Sequence, residues 1–151
     1  MKVTAMQEYG LRCMLQLAAH RLETPLTVGE IAGRERLTAV YVEKILVTLR
    51  RAGLVNSLRG VKGGYILNRP PRELSVATVL GALGDLDPGK DLCQRFTGNA
   101  SECVHFGDCG IRPVWGILTR FIYGFLSKIT LEQLFQSEAA VGRELEVSAK
   151  F

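Results

Sequence analysis

The sequence predicts a mainly α chain with one small β-hairpin, and three observations carry that expectation. Apolar residues recur at helical spacing through most of the first 52 positions and again after Pro113. Two short apolar runs, 54–58 and 65–67, flank a glycine-rich segment of the kind that tight hairpins use. From Asp85 to Arg112 the periodicity disappears, and Gly, Asp and Cys dominate.

The 151 residues suffice for one compact domain plus an extension. With 47% apolar residues a core is within reach, and 23% charged residues argue against a disordered chain. No apolar run approaches the ~20 residues that span a bilayer. The opening Met1-Lys2-Val3-Thr4 leads into a helical pattern interrupted by Gln7, Glu8 and Arg12, unlike a signal-peptide core. The expectation is a cytoplasmic protein without a membrane partner. Net charge is +4, but residues 1–72 carry 12 Lys/Arg against 5 Asp/Glu, and residues 73–151 carry 7 against 10. A basic first half suits a polyanion. Charge alone fits a solvated surface equally well.

A first helix is expected from Thr4 to His20, with Leu11, Met14, Leu15 and Ala18 on one face. Pro25 interrupts it. Thr27 and Glu30 have the spacing of a capping box, so a short helix should run from 27 to about Gly33. After a turn through Arg34–Leu37, Thr38 caps a helix that reaches about Ala52 and stops at Gly53. Val42, Ile45, Leu46 and Leu49 form its apolar stripe. Its other face offers Val40, Lys44 and Arg51, flanked by Glu43, Val47 and Thr48, a mixed surface able to enter a major groove.

The hairpin settles the domain type. Its tip, Arg59-Gly60-Val61-Lys62-Gly63-Gly64, has two basic residues among three glycines, directly after the second helix of a helix-turn-helix pair. This is the order of a winged helix-turn-helix domain. Arg59 and Lys62 then stand where they can meet phosphates or a narrow minor groove. Pro70-Pro71 ends the hairpin, and Ser75 caps a helix from Val76 to about Leu83. Pro113 suits the first turn of a further helix. That helix repeats Val114, Ile117, Leu118, Phe121, Ile122, Phe125 and Leu126. The stripe reads as a long dimerisation helix, the other possibility being intramolecular core. Thr130 caps a last short helix, Leu131–Phe135, and the tail from Gln136 has no strong pattern. The organisation expected is a DNA-binding domain at 1–84, a cysteine-rich loop at 85–112 and a dimerisation and tail region at 113–151.

Cys93, Cys103 and Cys109 lie in the irregular loop, spaced C-x9-C-x5-C, and Cys13 lies in the first helix. Reduced cytosolic thiols argue against a disulfide framework, leaving a metal or cluster site or a redox-active set of thiols. Zinc would need a fourth ligand from Asp91, Glu102, His105, Asp108, Cys13 or Glu8. Spacing does not choose between zinc and an iron–sulfur cluster. A thiol redox enzyme is a different class of reading, but the chain has no C-x-x-C motif. A winged module that binds only protein would not need basic residues on a bare glycine tip.

The sequence resembles the IscR/NsrR-type iron–sulfur regulators of bacteria. The likeness rests on Met1-Lys2-Val3-Thr4, Tyr41-Val42-Glu43-Lys44, Leu49 through Val55, the wing Arg59 to Tyr65, the three-cysteine loop and Ile129 through Leu134. It implies a homodimer on a pseudo-palindromic operator in double-stranded DNA. It also implies a cluster, 2Fe–2S or 4Fe–4S, between the cysteine loop of one subunit and the first helix of the other. Cluster state, set by redox conditions, nitric oxide or iron–sulfur supply, would then control a transcription regulator, expected as a repressor. On this pattern Cys93, Cys103 and Cys109 are cluster ligands. Some members add a His three residues after the last Cys, where this chain has Arg112. Others add a carboxylate early in the first helix, where Glu8 stands, so Glu8 is the expected fourth ligand and Cys13 and His105 its rivals. Nine residues separate the first two cysteines instead of the family's usual five or so. Some relatives lack a cluster and respond through thiols or a partner protein. The likeness also puts Thr38, Tyr41, Glu43 and Lys44 at the start of the recognition helix. Lys44 can donate to guanine and Glu43 accept from cytosine N4, with Arg50 and Arg51 as phosphate anchors.

Overall fold

The computed structural model describes residues 3–20, 24–84 and 92–148. Helix α1 spans Ala5–Ala19 and begins with a capping box in which Thr4 Oγ1 accepts from Gln7 N and Gln7 Oε1 accepts from Thr4 N. Helices α2 (Val28–Glu35) and α3 (Ala39–Arg51) follow, capped by the Thr27 and Thr38 hydroxyls. Strands β1 (Val55–Leu58) and β2 (Gly64–Leu67) pair antiparallel, with Val55 opposite Leu67. Helix α4 covers Val76–Leu83, α5 Leu92–Arg95, α6 Arg112–Leu126 and α7 Glu138–Ser148.

Most of the core comes from the first 83 residues. Val42, Ile45, Leu46 and Leu49 of α3 are all fully buried, as their spacing predicts. They share a core with Cys13, Met14, Leu17, Ile31, Val55, Leu67, Val79 and Leu83. Helix α1 comes close to α4 at Gly10, where a β-carbon would overlap the Leu83 side chain. The hairpin is tied to the chain before α2 by paired bonds, Leu26 N to Tyr65 O and Tyr65 N to Leu26 O.

Several elements differ from the sequence expectation. Helix α2 continues through Gly33 to Glu35 and ends where Arg36 turns left-handed, at φ 54 and ψ 44. The cause is tertiary: Glu35 accepts from Arg12 Nε at 2.6 Å and from Gln16 Nε2, which holds the last turn of α2 against α1. The loop after α4 contains the short α5, and α6 starts at Arg112, one residue before Pro113. The tail is helical as α7 rather than patternless. Ser137 Oγ accepts from Ala140 N, and Glu144 accepts from Gln133 and Gln136. The helix expected at Leu131–Phe135 is a 3-10 turn, Gln133–Phe135.

After α6 the chain returns to the core through Ile129 and Leu131, both buried, and pairs with Leu74–Val76 through Val76 N to Ile129 O and Leu131 N to Leu74 O. Thus α6 leaves and rejoins a single folded body. No helix among the described residues is long and apolar enough to cross a membrane.

Candidate functional site

Helix α3 has two unlike faces. The apolar stripe fixes it in the core, so Thr38, Val40, Glu43, Lys44, Arg50 and Arg51 are left exposed. Thr38 Oγ1 accepts from Tyr41 N, which sets the start of the helix. Tyr41 is half-buried, its ring edge-on to Tyr9 of α1 at 6.0 Å, so it is more constrained than its neighbours on this face. Arg50 Nη1 donates to Ser57 Oγ at 3.2 Å, linking the end of α3 to β1.

The wing exposes Arg59 and Lys62 to solvent, with Val61 at its tip. Gly60 at φ 107 makes the turn. Gly64 allows close approach: a β-carbon there would lie 2.5 Å from the carbonyl oxygen of Leu26. The tip is therefore bare because its backbone turns sharply at one end and packs against backbone at the other.

The second concentration of chemistry is the cysteine loop. Cys93 on α5 joins Cys103 and Cys109 of the irregular segment in lining one pocket of about 370 Å³. His105, Arg112, Phe96, Ile111 and Trp115 complete it. All three thiols are half-buried and unpaired by disulfides. A soft, three-thiol donor set among apolar walls fits a thiophilic metal centre. No three His, Cys, Asp or Glu among the described residues are gathered around a single metal-ion position.

The Rrf2 family, described as iron-dependent transcriptional regulators, matches residues 3–137. The chain belongs to that family. It is 34% identical over 138 residues to the HTH-type transcriptional regulator IscR of Photorhabdus laumondii, covering 91% of this chain and 81% of that protein. Among solved structures, CymR, the global cysteine regulator of B. subtilis, superposes with a TM-score of 0.70 at 27% identity, covering 91% of this chain and 99% of that one. IscR of T. potens gives a TM-score of 0.67 at 30% identity, covering 100% and 93%. These likenesses establish a winged-helix transcription regulator rather than an enzyme.

In this Rrf2 chain the remaining ligand candidates lie in different surroundings. Glu8 is exposed on the first turn of α1 and does not line the pocket of its own chain. Cys13 is fully buried in the core, away from that pocket, and burial pushes its thiol up to about 11. A protonated core thiol is a poor ligand. His105 lines the pocket beside the cysteines. Asp91 lies outside the described residues, whereas Glu102 and Asp108 are exposed.

Sequence reasoning missed Arg36. Its left-handed conformation exposes a basic side chain in the turn between α2 and α3, and only the position of the turn hinted at it. It also missed the Arg12–Glu35 clasp between α1 and α2, since the two residues lie 23 positions apart.

Proposed function

We propose that the protein is a homodimeric repressor whose affinity for a pseudo-palindromic operator is switched by an iron–sulfur cluster. Its ligands are Cys93, Cys103 and Cys109 of one subunit, with Glu8 of the partner subunit as the fourth. The observation that carries this reading is the meeting of three cysteines, spread over 17 residues, on one apolar-walled pocket at the start of an exposed apolar helix. When bound, the cluster supplies a centre sensitive to oxidants and nitric oxide. Phe96, Ile111 and Trp115 supply apolar walls beside the thiols. In this reading Glu8 serves the loop of the partner subunit, which its exposure near the start of α1, outside the pocket of its own chain, supports.

Helix α1 also provides the route to DNA. One turn beyond Glu8, Arg12 holds Glu35 at the end of α2, and Tyr9 meets Tyr41 of α3. A displacement of α1 is passed to both helices of the reading unit. Two recognition helices must stand about one DNA turn apart (~34 Å), so small shifts cost half-site contacts. Thr38, Tyr41, Glu43 and Lys44 face base edges in this reading. Arg50 and Arg51 hold phosphates, and Arg59 and Lys62 reach the flanking groove. The α6 stripe pairs with its symmetry mate. In support, Val114 and Ile117 are each 60% exposed, which a stripe serving its own core would not be.

Anaerobic purification of the wild type and Glu8→Ala, with ultraviolet–visible spectra and iron and sulfide assays, tests the cluster. A brown, sulfide-containing protein with a spectrum altered by Glu8→Ala is expected. The likeness to CymR of Staphylococcus aureus, whose structure is known in an oxidized form, favours a second reading, in which the same three thiols respond to oxidation without a cluster. A colourless wild type whose operator binding follows thiol oxidation would select that reading.

A further inference from the structure

We propose that Arg112 is a clasp that holds the cysteine loop closed against the start of α6. Its guanidinium Nη2 donates to the carbonyl oxygen of Phe106 at 2.6 Å and reaches that of His105 at 3.4 Å. The same group lies over the Phe106 ring, 5.8 Å from its centre. Phe106 N in turn donates to Cys103 O at 2.9 Å. A continuous chain of contacts therefore runs from the Cys103 backbone through Phe106 to the first residue of α6, enclosing Cys109 within the segment it closes. From Phe96 to Ile111 the backbone has neither helix nor strand, so few regular bonds hold it.

The position of Arg112 in its own helix points the same way. A cation at a helix N-terminus opposes the helix dipole, and this terminus has no acidic residue in its first turn and no side-chain cap. A residue that breaks a local rule is expected to gain its stabilisation elsewhere. Here the gain comes from one guanidinium nitrogen, Nη2, that reaches two successive carbonyls while the planar group lies over the Phe106 ring, a combination that a compact, strongly hydrated ammonium does not match. Arg112, Trp115 and the three thiols line one pocket, so release of the clasp alters what surrounds all of them. The clasp acts on the loop whatever the thiols hold, and makes Arg112 a positioning residue.

Trp115 is the chain's single tryptophan and reports on this pocket directly. The test uses the reduced, metal-free full-length protein and its Arg112→Gln and Arg112→Lys variants. Reaction of the thiols with a disulfide reagent and acrylamide quenching of Trp115 are read, with far-ultraviolet circular dichroism and thermal unfolding as the check on folding. In Arg112→Gln, thiol modification should quicken about three- to tenfold, as for a loop-opening equilibrium that loses one charge-assisted hydrogen bond. Trp115 quenching should rise while the helical signal and midpoint stay unchanged, and Arg112→Lys should behave as Arg112→Gln does. Unchanged thiol rates and quenching in Arg112→Gln would overturn the clasp. Full recovery in Arg112→Lys would overturn the planar guanidinium as its basis and assign the effect to charge alone.

Discussion

Cys13 and Glu43 show how differently a single side chain can contribute. The Cys13 thiol is buried among Met14, Leu17 and Ile31, and desolvation, with a smaller contribution from Glu35, raises it from 9.0 to about 11. A folded-state value above the unfolded one means that the native state holds its proton more tightly. The resulting stability is fully present below pH 9 and is lost as pH rises through 11. Urea unfolding should show a loss of about 2–3 kcal/mol across that window, and Cys13→Ala should remove that share of the pH slope. Glu43 sits on the exposed face of α3 and stabilises little. Removing its carboxylate should change which base pairs are preferred, whereas Arg51→Ala should weaken binding to all sequences. Binding titrations on an operator series separate the two, and a uniform loss in both variants would refute the groove assignment.

At the scale of elements, local signals set the helix starts and tertiary contacts set several ends. Thr27, Thr38 and Ser75 cap the helices that their positions predict, and Thr4 caps α1, because a hydroxyl at the helix start satisfies an otherwise free N–H. The C-terminus of α2 was not legible, since Gly33 resembles a stop and the bonds from Arg12 and Gln16 come from another helix. The same contrast gives a prediction about glycines. Gly33 lies inside α2 with nothing within 4 Å of a built β-carbon, so Gly33→Ala should stabilise by about 0.5–1 kcal/mol. Gly64→Ala would drive a methyl into the Leu26 carbonyl and break the Leu26–Tyr65 pair, costing roughly 2–3 kcal/mol. Chemical denaturation of both variants measures the difference. Equal effects would mean that the wing is not anchored through Leu26.

For the whole molecule, the decisive feature is a helix that leaves the core. Helix α6 has one buried residue, Thr119, and its apolar side chains Val114, Ile117, Leu118 and Phe121 are exposed in the single chain. Such a surface is expected to be covered by a second subunit. Ile117→Glu should shift sedimentation equilibrium toward monomer and weaken operator binding by roughly 10²-fold, because one half-site then binds alone. The circular dichroism spectrum should stay that of a folded protein, since Ile117 contributes little to the core of its own chain. An unaltered mass would exclude α6 as the dimer contact.

Periodicity, caps and glycine placement determine the winged helix-turn-helix order, the stripe of α3 and the bare basic wing, because these depend on residues within a few positions of one another. The grouping of three cysteines in one loop is equally plain in the sequence. Tertiary structure decided that those thiols face one pocket, that Cys13 belongs to the core, and that the α6 stripe stays uncovered. It also decided that α7 forms, that Arg12 holds Glu35, and that Arg112 closes the loop. Those outcomes depend on which surfaces meet after the chain has folded back on itself, and neither spacing nor propensity contains that information.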